Sequence, residues 1–435
     1  MSNARHFQSH RSTLLDAMGS GIAIIPTATE KVRNRDSQYP YRYDSYFYYL
    51  TGFQEPEAVL VLIAGESPKS ILFCREKDHD REIWDGFRYG PDKAKVEFGF
   101  DETYPISQLD EMAPKLMANQ DRLFYTLGSS MEWDTRIAGW INQLKAQTRS
   151  GTHAPAEIVD LHSRIDNLRL IKSEFEIDTM RRAARISAAA HIRAMRKAKP
   201  GVMEYELEAE LLHEFYRQGS RAPAYTSIVA TGANACVLHY VENNVQLKDG
   251  DLVLIDAGCE LHGYASDITR TFPANGRFTS PQRDLYELVL AAQAAAIEKA
   301  YPGSHWNAPH DAAVEVLIRG FIDLGLCKGT PEAVLESGDY RRFYMHRTGH
   351  WLGLDVHDAG EYKSKDGNWR LLEPGMMMTV EPGCYVRPSD DVPEQFWNVG
   401  IRIEDDVLIT PQGNDILTRD APKSIADIEA LMVGA

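Results

Sequence analysis

Two acidic residues sit in runs that otherwise read as buried strand. In MMMTVEPGCYV, residues 376 to 386, Glu381 closes an apolar strand just before a Pro-Gly turn. In VGIRIEDDVLI, residues 399 to 409, Val399, Ile401 and Ile403 line one strand face while Arg402 and Glu404 share the other. A charged side chain embedded this way is rarely fully buried unless it is paired or bound to a metal. Glu404 has Arg402 as a ready partner, whereas Glu381 has none so near.

A third segment adds two more carboxylates. In DLVLIDAGCELHGYASDITRTF, residues 251 to 272, two strand-like runs flank a turn, and a turn centred on Leu261-His262 sets Asp256 opposite Asp267. Cross-strand partners have Cβ atoms about 4.5 to 5.5 Å apart, and like charges there destabilise a hairpin unless something positive lies between them. Alone, such a spacing more often marks an exposed or turn-capping aspartate; Glu381 and Glu404 shift the weighting. Each carboxylate pair about 4 Å apart costs roughly 4 kcal/mol at an effective dielectric near 20, so four converging carboxylates require counter-ions. One divalent ion leaves the set negative and two neutralise it, which predicts a dinuclear site. Oxygen-rich ligation with a single nitrogen suits Mn²⁺, is compatible with Co²⁺, Fe²⁺ or Zn²⁺, and does not suit copper or iron–sulfur chemistry. Two such ions acidify a water between them, so the reaction implied is hydrolysis.

The nitrogen is sought in HRTGHWLGLDVHDAG, residues 346 to 360, which holds His346, His350 and His357. His346 and His350 have i, i+4 spacing, but no Glu lies between them, and Gly349 and Gly353 argue against a helix. A loop running into an extended WLGLDV is expected. One imidazole serves as ligand, leaving the others to hold an oxyanion or move a proton. His239 is ambiguous on its own, and His153, His191, His213 and His305 read as structural.

The 435 residues imply two domains. From about 8 to 150, strand-like runs at 22 to 27, 58 to 64 and 69 to 74 alternate with helical stretches such as QLDEMAPKLMA, which predicts an α/β domain. RSGTHAPAEI, near 149 to 158, has boundary character. Ser173 and Glu176 have capping-box spacing and open a helix reaching Lys199 ahead of Pro200. Further helices are expected at 204 to 217, 281 to 300 with Ser280 as N-cap, and 311 to 326, with strands at 251 to 258, 263 to 272, 376 to 381 and 399 to 409. The expected architecture is an α/β domain over 1–172 and an α+β domain over 173–435. A net charge of −16 disfavours nucleic acid and anionic membrane as partners. The five scattered cysteines form no CxxC, and the N-terminus lacks a secretory core, so the expected compartment is the cytoplasm.

DAG at 256 to 258, SDITRTF at 266 to 272, HRTGHWLGLDVHD at 346 to 358, TVEPGCY at 379 to 385 and GIRIEDD at 400 to 406 together resemble the Xaa-Pro aminopeptidases (aminopeptidase P) of the pita-bread metallopeptidase superfamily, M24. The segment RNRDSQYPYRYDSYFYYLTGFQEPEAVLVLI at 33 to 63 extends the resemblance over nearly the whole chain. It implies a creatinase-like N-terminal domain and a pita-bread catalytic domain. Asp256, Asp267, His350, Glu381 and Glu404 would ligate two ions, usually Mn²⁺, with Asp267 and Glu404 bridging and Glu381 also accepting a proton. His239, His346 and His357 would line the substrate site, His239 and His357 steadying the tetrahedral intermediate. Arg402, Asp36 and Tyr385 match a polar shell, Val356 and Trp84 apolar contacts, with Trp84 reaching the site of a neighbouring subunit in a homo-oligomer, dimer or tetramer. The implied substrate is a peptide with proline in second position. Proline lacks an amide N–H, so a shaped pocket must replace strand-like recognition there.

Prolidases share the ligand set but cleave dipeptides; Trp351 and the YPYRYDSYFYYLTGF segment favour aminopeptidase P. Methionine aminopeptidases typically lack the front domain. Metal-free creatinase-like hydrolases and non-catalytic peptide-binding modules use the same fold but have lost the ligands.

Overall fold

A computed structural model describes residues 3–433. The chain forms two compact units that divide between Arg169 and Leu170.

In the N-terminal unit the apolar runs at 22 to 27, 58 to 64 and 69 to 74 become Gly21–Pro26, Val59–Ala64 and Lys69–Cys74, adjacent strands of a six-stranded sheet. They pair antiparallel with each other. Glu102–Pro105 joins one side in parallel, and Arg122–Phe124 followed by Glu157–Val159 join the other, also in parallel. The central strands are buried almost throughout, which is why they read as unbroken hydrophobic runs rather than alternating ones. Ile22, Ile24, Val59, Val61, Ile71 and Phe73 pack with Met117, Trp133 and Trp140 from the helices Leu109–Met117 and Met131–Lys145. The Gly- and Pro-bearing stretch at 149 to 158 leads into Glu157–Val159 rather than out of the unit. Turn residues mark loops within a domain as readily as loops between domains.

The C-terminal unit opens on the helix Glu174–Lys197, with the Ser173–Glu176 capping box formed. Ala183, Ala190 and Ala194 on that helix, together with Leu285, Val289, Ala292, Leu317 and Phe321 from the helices Ser280–Lys299 and Ala308–Asp323, cover a core that includes Val253, Ile255, Val380, Ile401 and Ile403. The cap of Ser280–Lys299 is Thr279, one residue ahead of the expected Ser280, because Gln282 returns a bond to the Thr279 N–H and completes a second capping box.

Two three-stranded sheets carry the acidic residues. One orders Ile228–Thr231, Leu252–Asp256 and Thr269–Pro273; the other orders Met377–Val380, Asp405–Thr410 and Gly413–Ile416. A two-stranded ladder, Gly383–Val386 with Val399–Arg402, continues from the second sheet. The expected strand at 399 to 409 is thus interrupted at Ile403-Glu404, just where its partner is interrupted at Glu381-Pro382. Val380 pairs with Asp405 and Gly383 with Arg402, so the register is unbroken across the gap and Glu381 falls opposite Glu404. Proline, which has no N–H to give to a ladder, explains why the strands part there.

The hairpin after Asp256 turns one residue later than expected. Its reversal is at His262-Gly263, both with positive φ (50° and 85°), because Gly263 takes the left-handed position more easily than Leu261 would. Asp256 therefore faces Thr269, not Asp267, which sits two residues earlier in the break between Tyr264–Ala265 and Thr269–Pro273.

Candidate metal centre

Asp256 ends its strand, Asp267 lies in the break before the next, and Glu381 and Glu404 face each other across the interrupted ladder. Two glycines allow these segments to meet. A Cβ on Gly258 would stand 1.7 Å from the Ser266 carbonyl oxygen, and one on Gly349 would stand 2.0 Å from that of Thr379. The first close approach brings the Asp267 loop against Asp256; the second brings His350 beside the strand that leads into Glu381. The 346–358 segment is not helical, as expected, but WLGLDV is not extended either: Trp351 makes a single bridge to Met378 and residues 353–357 bend. The bend is held by a buried ion pair of Lys172 Nζ with Asp358 Oδ2 (2.9 Å).

His350 Nε2 lies 3.4 Å from Asp267 Oδ2 and 3.6 Å from Glu381 Oε1. Asp267, His350 and Glu404 offer ligand atoms all within 4.8 Å of one another. His350 Nδ1 is 2.9 Å from the Trp351 carbonyl, an acceptor only, so Nδ1 carries a proton and Nε2, facing the carboxylates, is the nitrogen that would bind a metal once deprotonated. Arg402 Nη2 donates to Asp256 Oδ2 at 2.6 Å, and the Tyr225 hydroxyl contacts both Asp256 and Asp267. Thr269 Oγ1 donates to Glu404 Oε2 at 2.5 Å and accepts from Arg402 Nε at 3.0 Å.

The electrostatics call for cations. Burial, and then the neighbouring carboxylates, raise the Glu404 pKa far above its ordinary range. Burial likewise raises Asp256, with Arg402 opposing, and lifts Glu381 to about 7. Burial disfavours the His350 imidazolium, yet Asp267 and Glu381 outweigh it and carry its pKa up to about 9. Carboxylates that resist ionising, around an imidazole that holds an extra proton, mark a place where divalent ions would take over the role of those protons. Arg402 offsets one of the four negative charges; a single divalent ion still leaves the set negative, and two make it positive. The donor set of four carboxylates and one imidazole fits two hard or borderline cations.

The site opens into a cavity of about 720 Å³ lined by the five candidate ligands, Arg402, His239, His346, Val356 and His357, and walled by Trp306, Tyr362 and Trp369. Tyr385 is buried behind that lining, its hydroxyl accepting from Arg402 Nη1 (2.9 Å) and 2.8 Å from His346 Nε2. His346 Nδ1 faces the Arg347 carbonyl at 2.8 Å, so both its nitrogens are engaged, and burial lowers its pKa to about 3. His239 and His357 are exposed on the cavity. Of the expected residues, Asp36 and Trp84 belong to the other unit of the chain. They lie in the N-terminal unit, Asp36 exposed in the turn between Val32–Asn34 and Ser37–Gln38, and Trp84 on the helix His79–Asp85 with 83% of its surface exposed. Sequence reasoning missed Tyr225 and Thr269. Tyr225 precedes the strand Ile228–Thr231, whose first residue pairs with Asp256, and only that pairing brings its hydroxyl to the carboxylates.

A fold with four inward carboxylates and one imidazole between two sheets defines a metal-dependent hydrolase, and the comparisons agree. Residues 178–411 match the model of metallopeptidase family M24, and residues 7–125 match that of the aminopeptidase P N-terminal domain. The chain belongs to metallopeptidase family M24, with the two-domain pita-bread architecture of aminopeptidase P. It is 44% identical to the Xaa-Pro aminopeptidase of Escherichia coli over 99% of this chain and 98% of that one. It is 46% identical to that of Haemophilus influenzae over 98% and 96%. Among solved structures it is similar to an aminopeptidase from Pseudomonas aeruginosa (TM-score 0.98, 50% identity, 100% and 99% covered) and to a zinc-substituted E. coli aminopeptidase P in complex with product (TM-score 0.97, 44% identity, 99% and 98% covered). Among the described residues no helix is long and apolar enough to cross a membrane.

Proposed function

We propose that Asp256, Asp267, His350, Glu381 and Glu404 hold two divalent cations, Mn²⁺ ahead of Co²⁺, Fe²⁺ or Zn²⁺, and that this site releases the N-terminal residue from peptides with proline in second position. The Xaa-Pro aminopeptidase activity follows from whole-length identity to enzymes of that name. The observation that supports the site is the convergence of all five candidate ligand residues on one cavity. When bound, the cations supply an acidified water and polarise the scissile carbonyl. Glu381 takes up the proton released by that water and passes it to the departing proline nitrogen. His239 and His357 donate to the developing oxyanion, a role favoured by their exposure on the cavity. His346, with both nitrogens engaged, instead shapes the wall and orients Tyr385. Val356 and the aromatic wall give the proline ring an apolar surface.

The five buried, unpaired cysteines support a reducing compartment, and we place the protein in the cytoplasm. Exposed Ile83, Trp84 and Phe87 support a homo-oligomer in which Trp84 reaches a neighbouring copy. On that reading Asp36→Asn and Trp84→Ala raise KM for peptides without changing metal content.

The test is hydrolysis of an Xaa-Pro-Xaa tripeptide, beside an Xaa-Pro dipeptide, with chelator, with added Mn²⁺, and by Glu381→Ala. Chelation should abolish turnover, Mn²⁺ should restore it, the tripeptide should be preferred, and Glu381→Ala should lose at least about a hundredfold in kcat. Turnover indifferent to both chelator and Glu381→Ala would end the proposal, and preference for the dipeptide would move it to prolidase.

A further inference from the structure

Glu204, the first residue of the helix Glu204–Arg217, is fully buried, yet among the described residues no cation lies within ion-pair distance of it. Its carboxylate is satisfied by four donors instead. Oε1 accepts from the Thr231 N–H (2.7 Å) and Asn234 Nδ2 (3.3 Å); Oε2 accepts from the Tyr240 hydroxyl (2.8 Å) and the Val245 N–H (2.9 Å). All four come from one segment, 231–245, which carries His239. A buried carboxyl group is costly unless its lone pairs are used, so the fold keeps those four donors in place around Glu204.

His239 needs such a scaffold. Its imidazole is exposed on the cavity and makes no hydrogen bond of its own among the described residues, so its position is inherited from its backbone. Its neighbour Tyr240 is only 8% exposed and tied to Glu204. Asn243, at φ 47°, adds a second tether to the same helix by donating to Glu208. We infer that Glu204 is a positioning residue for catalysis, holding the 231–245 segment so that His239 presents its imidazole to the reacting carbonyl; this rests on the role proposed for His239.

A double-mutant cycle on the metal-loaded enzyme tests it: wild type, Glu204→Gln, His239→Ala and the double variant, each measured for kcat, KM, metal content and Tm. The Gln amide is isosteric, but whichever way it turns, its NH₂ faces two of the four donors. His239→Ala should lower kcat about a hundredfold, the scale of a lost oxyanion donor. Glu204→Gln should lower kcat about tenfold in wild type, with KM within about twofold, and by less than about twofold once His239 is gone. Metal content should not change. A lowered Tm with unaltered kcat, or an equal loss of kcat in both backgrounds, would overturn the inference by making Glu204 structural or its effect independent of His239. An inert His239→Ala would overturn the His239 assignment and the inference with it. If Glu204→Gln fails to fold, Tyr240→Phe, which removes one donor and keeps the carboxylate, runs the same cycle with the same criteria.

Discussion

Arg402 spreads its guanidinium over three partners: Asp256 at 2.6 Å, the Tyr385 hydroxyl at 2.9 Å and Thr269 Oγ1 at 3.0 Å. Strand alternation puts Arg402 and Glu404 on one face and offers them to each other; in the fold, Thr269 stands between them and bonds to both. The charged members were legible because an acid or an arginine inside an apolar strand is rare and needs a reason. Thr269 and Tyr225 were not, because a threonine in a strand and a tyrosine beside one are ordinary there. The chain Arg402, Tyr385, His346 makes a prediction at this scale. Tyr385→Phe removes a hydroxyl that accepts from one and donates to the other, leaving two buried groups short of a partner. Such losses run to about 1–3 kcal/mol, so kcat/KM for a tripeptide should fall about 10- to 100-fold while metal content holds. A fully active Tyr385→Phe would show that Arg402 and His346 keep their places without the hydroxyl.

At the scale of elements, the apolar runs announced the strands, and the acidic positions announced that something interrupts them. What the pattern withheld was pairing: which run lies beside which, and where a ladder opens. Glu381 and Glu404 are opposite each other because two strands part together at Pro382, and no feature of either run alone states that. The hairpin after Asp256 shows the same limit, since a turn shifted by one residue moves the cross-strand partner by two. The close approaches at Gly258 and Gly349 were equally hidden, although the glycines themselves were plain. Gly258→Ala would force its Cβ into a backbone carbonyl, which cannot rotate away as a side chain could. The Asp267 loop must then shift, so the variant should bind less than its full complement of metal and lose about 1–3 kcal/mol or more of stability, the range for overpacking. Elemental analysis beside thermal melting checks both, and normal metal loading would mean that the Ser266–Asp267 segment yields without disturbing the ligands.

At the scale of the whole molecule, length gave two domains, but the division at Arg169 is not marked by composition, because the Gly- and Pro-bearing stretch before it leads into a sheet strand. Burial of neutral histidines is another whole-chain property that residue counts conceal. His191 is fully buried in the core, its Nε2 donating to the Ala257 carbonyl at 2.9 Å beside Asp256, and burial, partly offset by that bond, lowers its pKa from 6.5 to about 4. Above pH 6.5 the imidazole is neutral folded or unfolded and contributes no pH dependence. Between 6.5 and about 4 the unfolded chain takes up a proton that the fold refuses, so stability falls as pH falls through that window. Below it both states are protonated, and the fold has lost about 3 kcal/mol on this group. His191→Gln keeps a side-chain donor for Ala257 but cannot titrate. Its stability deficit against wild type, read from urea unfolding, should therefore be largest at pH 7.5 and narrow by up to about 3 kcal/mol toward pH 4, since only the wild type pays to keep the imidazole neutral. Every other titrating group is common to both proteins and cancels from the difference. A gap constant across that range would mean that His191 is protonated as readily inside the fold as outside it.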